Sequence, residues 1–274
     1  MIKFSLLVAH YNNIEYFVEC YKSLLGQTFT DYEIIIVDDC STDDYFDKLK
    51  NFVKDNPKVK LYQNAINKGV GYTKRRCVEL ASGEILGFVD PDDAITNDAV
   101  EELIKHYSND KIVAVYSQFS LCDKHLQAIK VFQKSRQTQH RDPYFFNVFL
   151  KINHFFTFRK SAYEKTEGIN PELTSAVDQD LYLKLYETGN FKFVKKSLYL
   201  YRTHENGVSQ AKSKKAKLFY NWNHVIFSAL ERRKIKLLYG KKIFDIPNLS
   251  FFIYNKQNTI FARLIRKLKW SVFS

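Results

Sequence analysis

Cysteine is sparse. The 274 residues hold four, Cys20, Cys40, Cys77 and Cys122. None forms a C-x-x-C pair, and their spacings suit neither a zinc site nor a dense disulfide framework. Reduced thiols in a cytosol are expected. A run of about 20 uninterrupted apolar residues is also missing, which excludes a membrane-spanning helix. The opening MIKFSLLVAHYNN has an apolar run of strand length. It lacks the longer apolar region and small-residue cleavage site of a signal peptide. There is no internal repeat and no low-complexity tract. Acidic residues are nearly absent from one end: residues 211–274 carry 15 Lys+Arg against 2 Asp+Glu, a net +13. The first 210 residues hold 27 basic and 28 acidic side chains. A near-neutral body with a basic tail predicts two functions in two places.

Hydrophobic residues make up 45% of the chain, enough for a full core. Lys3–Ala9, Tyr32–Val37, Val59–Gln63, Ile85–Val89 and Ile112–Phe119 read as buried strands. Ile14–Leu25, Asp44–Val53, Tyr72–Ala81 and Thr96–Tyr107 read as helices, the last capped by Asn97 or Thr96. Between Cys122 and Lys160 a hairpin is expected, with a short helix near Pro143–Leu150 and a strand at His154–Phe158. A helix over Asp178–Glu187 and a strand over Phe191–Tyr199 follow. The alternation predicts an α/β/α sandwich around a mostly parallel sheet. The body is expected to span residues 1–210, with a mainly helical extension at 211–274 and a polar linker around Gln210–Lys217.

In such sheets ligands sit beyond the carboxyl ends of the strands, and the polar clusters fall there. Tyr11-Asn12 follows the first strand, Asp38-Asp39 the second and Asn67 the third. Asp90-Pro91-Asp92-Asp93 follows the fourth. Three carboxylates within four residues repel one another, and Mg2+ or Mn2+ would relieve that repulsion. Taken alone, the same acids could simply open the next helix, whose positive end favours Asp93. Ser41, Asp43 or Asp44 could likewise cap the helix after the second strand, while an acid before them accepts a hydrogen bond from a nucleotide base.

Four segments together resemble the family-two inverting glycosyltransferases, which have a GT-A fold: SLLVAHYN, QTFTDYEIIIVDDCSTDD, NKGVGYTKRRCVELASGEILGFVDPDDAI and VDQDLYLKLYETGNFKFVKKSLYLYRTHENGVS. The resemblance covers residues 2 to about 210. It implies transfer of a sugar, with inversion, from a nucleotide diphosphate donor to a hydroxyl. Ala9 and Tyr11 would flank the base, with Tyr11 stacking on it, and Asp39 would bind the base edge, most often uracil. Asp90 would hold the ribose or the metal, Asp92 the metal, and Asp93 would sit near the donor sugar. Asp178 would be the general base, with Asp180 the fallback because Val177 stands where the family usually has Glu. His204 would approach the metal or diphosphate. Lys74 stands where Arg is common and can still meet a phosphate. Cys40 replaces the usual Gly, so that turn is expected to manage without positive φ.

The implied donor is a UDP-sugar, and the implied acceptor is a glycan or a lipid-linked glycan, as in bacterial surface polysaccharide synthesis. At helical pitch Asn258–Phe273 gathers Ile260, Phe261, Leu264, Ile265, Leu268 and Val272 opposite Arg263, Arg266, Lys267 and Lys269. Such a helix either lies in an anionic membrane surface or packs on the body. The cytoplasm, at the inner face of the cell membrane, is the expected location. Nucleic acid is not an expected partner, because the body carries no basic stripe. A nucleotidyltransferase making nucleotide sugars is the rival enzyme, but it needs a Gly-rich phosphate loop after the first strand, and His10-Tyr11-Asn12-Asn13 offers none. A non-catalytic membrane-surface protein is the third reading.

Overall fold

Strands and helices alternate through the first hundred residues because apolar runs alternate with amphipathic ones. In the computed structural model, which describes residues 3–204 and 215–259, the first elements are β1 (Phe4–His10), α1 (Ile14–Leu25), β2 (Tyr32–Asp38), α2 (Tyr45–Val53), β3 (Val59–Gln63), α3 (Val70–Leu80) and β4 (Ile85–Phe88). Next come β5 (Ala94–Ile95), α4 (Ala99–Ile104), β6 (Ile112–Cys122), β7 (Ala128–Val131), β8 (Phe156–Arg159), α5 (Lys160–Tyr163), α6 (Val177–Tyr186) and β9 (Asn190–Arg202). The chain continues into α7 (Lys215–Arg232), β10 (Leu237–Leu238), β11 (Lys241–Lys242) and α8 (Leu249–Gln257).

The large sheet runs β3-β2-β1-β4-β8-β6-β9-β5, with β7 added to β6. The first four strands are mutually parallel. From β8 onward the sheet is mixed: β8 is antiparallel to both β4 and β6, whereas β6 and β9 are parallel. Successive side chains of a strand point to opposite faces. Leu7, Ile35 and Val37 therefore enter one apolar layer, and Leu6, Val8, Ile34 and Ile36 enter the other. Burial on both faces is what the continuous apolar runs of β1 and β2 require.

Two local expectations fail. The helix near Pro143–Leu150 is absent; the segment is a string of turns. Asn147 and Leu150 both have φ of 51°, which no right-handed helix accepts. The Asn147 side chain also takes the N–H and C=O of Ile152 at 3.0 Å each, and Arg233 takes the carbonyls of Pro143 and Phe145. These tertiary partners replace helical bonds. In the other case, neither Thr96 nor Asn97 caps α4. Asp98 occupies that position without a capping bond, and the N–H of Val100 is satisfied by Gln27 Oε1 at 3.0 Å.

The described part of the basic segment packs on the body. Val225, Ile226, Ala229 and Leu230 of α7 and Leu249 and Ile253 of α8 join the apolar layer that holds Leu181 and Leu185 of α6. Glu187 pairs with both Arg232 and Arg233. The expected sector from Ile260 to Val272, and residues 210–214 of the expected linker, lie outside the described residues. Among the described residues no helix is long and apolar enough to cross a membrane.

Candidate active site

The loops at the carboxyl ends of β1, β2 and β3 are bonded to one another. Asp39 N donates to His10 O at 2.8 Å, Asn12 N to Ser41 Oγ at 2.9 Å, and Asn64 N to Asp38 O at 2.8 Å. Asp38 is fully buried beneath this junction. It accepts from His10 Nδ1 (2.9 Å), Ser41 N (2.8 Å) and Ser41 Oγ (2.5 Å). Burial pushes its carboxyl up, but the bonds from His10 and Ser41 outweigh burial and hold it below the usual carboxylate range. Its neighbour Cys40 has φ of 58°. The turn thus keeps positive φ despite the loss of glycine, contrary to expectation, because Asp38 clamps the following residue. Left-handed backbone costs a side-chain-bearing residue about 1–2 kcal/mol.

Asp39 looks the other way. Its Oδ1 accepts from Asn64 Nδ2 (2.7 Å) and Lys68 N (2.8 Å), and its Oδ2 from Gly69 N (2.7 Å). It thereby shapes the entry to α3. Gly69 has φ of 85° there, and a Cβ on Gly71 would lie 2.6 Å from Leu173 O. This glycine pair lets α3 press against the 170–173 loop, which leads into α6. Ala9 is partly buried at the end of β1. Tyr11 is 45% exposed at the mouth of the site, free to take a stacking partner.

That packing brings Lys74 of α3 to the centre. Its buried Nζ lies 3.0 Å from Asp90 Oδ1 and 2.9 Å from Asp178 Oδ1. Burial disfavours its charge, but the two carboxylates outweigh burial and raise its pKa. Asp90 is pushed up by burial and held down by Lys74 and then His154, with a net lowering. The ligand-capable atoms of Asp90, His154 and Asp178 all lie within 4.8 Å of one another, and the His154 ring stacks on Tyr199 at 4.8 Å. Asp180 is buried elsewhere, accepting from Lys184 Nζ (2.9 Å) and Asn170 N (2.8 Å), whereas the Asp178 side chain is 32% exposed.

Asp92 and His204 meet at 2.9 Å. His204 lies over the Tyr16 ring at 4.6 Å, and its buried Nδ1 has no hydrogen-bond partner among the described residues. Arg202 braces the pair: its Nε donates to Asp92 O at 2.6 Å, its Nη1 reaches Glu19 at 2.8 Å, and its guanidinium sits over Tyr16. Asp93 turns inward and accepts from Tyr199 Oη and Arg202 N at 2.7 Å each. Burial, then the charges of Asp92 and Asp90, push its carboxyl well above the usual range. At Asp90 and Asp178 Lys74 already supplies a positive charge. Beside the Asp92–His204 pair Arg202 is already paired with Glu19, and the pair's carboxylate oxygen and imidazole nitrogen form a donor set that fits a divalent cation.

The chain is similar to known proteins. Residues 5–166 match the family model described as Glycosyl transferase family 2. The chain belongs to that family. Over 202 residues it is 33% identical to the chondroitin synthase of Escherichia coli, covering 71% of this chain and 28% of that protein. Over 261 residues it is 29% identical to the hyaluronan synthase of Pasteurella multocida, covering 92% and 25%. This glycosyltransferase chain spans about a quarter of the length of those relatives. Among solved structures it is similar to S. aureus TarS 1–349 in complex with UDP-GlcNAc, with a TM-score of 0.67 at 22% identity over 84% of this chain and 67% of that one. That likeness agrees with the expected GT-A fold.

Two participants escape a reading of the sequence. His154 reads there only as the start of a strand. It reaches the site because β8 runs antiparallel to β4, which places the start of β8 beside the end of β4. Asn64, buried under Asp39, is hidden by the exposed Asn67 three residues on. The order β4-β8 is a long-range pairing, and no local signal encodes it.

Proposed function

We propose that this glycosyltransferase moves a sugar from a UDP-sugar to a hydroxyl of a bacterial surface glycan, free or lipid-linked, with inversion. The observation that carries the reading is the Lys74 clamp. It holds Asp178, a partly open carboxylate, against Asp90, and Asp90 begins the turn that presents Asp92 to His204. A proton acceptor and a cation-holding pair therefore share one site. The relatives named chondroitin synthase and hyaluronan synthase, and a Bacillus spizizenii relative named poly(ribitol-phosphate) beta-glucosyltransferase, support a glycan or polymer acceptor. The UDP-GlcNAc complex of TarS supports the donor.

In this reading Asp178 takes the proton of the acceptor hydroxyl as its oxygen bonds to the anomeric carbon and the bond to the diphosphate breaks. One base opposite the leaving group makes this a single displacement. Asp92 and His204 would hold Mn2+ or Mg2+, which would supply positive charge for the diphosphate leaving group. Tyr11 stacks on the uracil with Ala9 at its side, and the remaining acceptor capacity of Asp39 Oδ2 meets the base edge. Asp90 meets the ribose or the metal, and Lys74 keeps Asp90 and Asp178 in register. Asp93 acts on the donor sugar through the turn that it anchors. The segment from Asn258 to Phe273 holds the enzyme at an anionic membrane face, where lipid-linked acceptors lie.

The test is nucleotide binding and donor turnover by the full chain. UDP should bind more tightly than GDP or CDP when Mn2+ is present, and chelator should abolish hydrolysis of the preferred UDP-sugar. Equal binding of all three nucleotides, or hydrolysis that survives chelation, overturns the reading. For the membrane contact, removing 258–274 should weaken sedimentation with anionic liposomes and leave UDP binding in place.

A further inference from the structure

The Asp92–His204 pair is held from outside by α1. Arg202 closes β9, and His204 follows two residues later. Thr203 between them turns away and donates to Cys122 O at 2.6 Å. Arg202 and His204 both meet Tyr16. The His204 ring lies 4.6 Å from the Tyr16 ring, tilted by 49°, and the Arg202 guanidinium lies 4.7 Å from it. Glu19, one turn further along α1, pairs with Arg202 Nη1 at 2.8 Å. The same helix follows the acid turn onward. Cys20 Sγ reaches Asp90 O at 3.6 Å, and Ser23 Oγ accepts from Ile95 N at 3.2 Å. Just past the helix, Gln27 Nε2 donates to Thr96 O at 2.8 Å. Tyr16, Glu19, Cys20 and Ser23 share one face of a helix, and that face lies along the segment from Asp90 to Thr96.

A metal-binding imidazole is normally oriented by a hydrogen bond on its other nitrogen. His204 turns Nε2 to Asp92 at 2.9 Å, and its buried Nδ1 makes no hydrogen bond among the described residues. Contact with the Tyr16 ring takes the place of that bond. Arg202 is buried too, and its Nη2 is likewise unpartnered among the described residues. Its guanidinium is fixed by the carbonyls of Asp92 and Lys124, by Glu19 and by Tyr16. Aromatic rings attract both a tilted ring at this distance and a cation near their face. Tyr16 thus enters the network through its ring.

We propose that Tyr16 is a positioning residue for cation binding. It sets the plane of His204 and, with Glu19, the guanidinium of Arg202, so that Asp92 and His204 present their donor atoms together. The proposal rests on the reading of Asp92 and His204 as the cation-holding pair. It gives α1 a part in metal affinity and none in base readout or proton transfer, because Asp39 and Asp178 are held by other contacts.

The experiment uses the full chain with Tyr16→Leu, Tyr16→Phe and Glu19→Ala. Mn2+ is titrated at saturating UDP, and free Mn2+ is read by electron paramagnetic resonance. Tyr16→Leu should weaken Mn2+ binding by about tenfold. Tyr16→Phe should bind as the wild type does, since the ring alone makes the contact. Glu19→Ala changes a side chain that is 45% exposed; it should weaken Mn2+ binding by about two- to threefold with melting unchanged. Turnover of the donor by Tyr16→Leu should return to near the wild-type kcat at high Mn2+, unlike that of Asp92→Ala. Uridine, which has no diphosphate to meet the cation, should bind every variant alike in saturation-transfer NMR. In a His204→Ala background, Tyr16→Leu should weaken Mn2+ binding by no more than about twofold further. Unchanged Mn2+ affinity in Tyr16→Leu overturns the proposal. So does a Tyr16→Phe variant as weak as Tyr16→Leu, a full additive effect in the His204→Ala background, or a kcat that high Mn2+ does not restore. If Tyr16→Leu melts too early to titrate, Glu19→Ala decides: wild-type Mn2+ affinity overturns the brace, and weakened affinity at unchanged melting supports it. A wild type that binds UDP but no Mn2+ overturns the reading of the Asp92–His204 pair itself, whereas the brace alone fails when wild type and Tyr16→Leu bind Mn2+ equally well.

Discussion

Carboxylates are buried at both ends of the parallel strands, and the two ends treat them in opposite ways. Near the amino ends Glu33 accepts from Ser5 Oγ, Ser82 N and Ser82 Oγ within 2.7 Å and pairs with Lys60 at 2.8 Å. Burial pushes its carboxyl up, but Lys60, Ser5 and Ser82 outweigh burial and bring it to about 2. At the carboxyl ends Asp90, Asp92 and Asp93 crowd one turn, and Asp93 is pushed well above the usual range, partly by the other two. The first cluster is completed by the fold. The second leaves like charges crowded in one turn even with Lys74 on Asp90 and two hydrogen bonds to Asp93, as functional sites often do.

Breaking the second cluster should have the largest effect. Asp92→Ala should lower donor turnover by about a thousandfold or more even at high Mn2+, while the melting temperature holds or rises as like-charge repulsion at Asp93 is relieved. Near-normal turnover in this variant would erase the contrast. Asp178→Asn is next: it is nearly isosteric but cannot take the proton, so kcat should fall about 10²–10⁴-fold with UDP affinity little changed. Collapse of UDP binding with surviving turnover would move the base elsewhere.

The first cluster should answer in stability. Glu33→Gln should lower unfolding free energy by about 1–3 kcal/mol in urea titrations at pH 7 and leave kcat intact. The sign follows from the depressed pKa. The contribution of Glu33 is complete above its ordinary value of 4.5 and is lost as pH falls through about 2. The gap between wild type and variant should therefore close in acid; a gap that is constant from pH 7 to pH 2 would refute the ionic account. The smallest effect belongs to the turn that joins the parallel strands to the site. Cys40→Gly should relieve left-handed strain and raise stability by up to about 1 kcal/mol, read from the urea midpoint.

Local patterns carried much of this protein. The apolar runs of β1 and β2, the helical spacing of α1 and the acids after β2 and β4 are short-range features, and each fell where the residues placed it. Asp92, which the resemblance assigns to the metal, and His204, which it brings near the metal or diphosphate, lie 112 residues apart in sequence, and only the fold brings them to 2.9 Å. The tertiary structure decided the rest. It set Asp180 into an ion pair with Lys184 and left Asp178 open. It carried His154 to the site through an antiparallel pairing, replaced a helix at Pro143–Leu150 with turns tied to Arg233, and folded α7 onto α6 and α8 onto α7. Apart from the Asp180–Lys184 pair, which spans one helical turn, those outcomes depend on partners tens of residues away. Periodicity and capping act over a turn or a strand, whereas packing and charge pairing act between segments that the chain order leaves far apart.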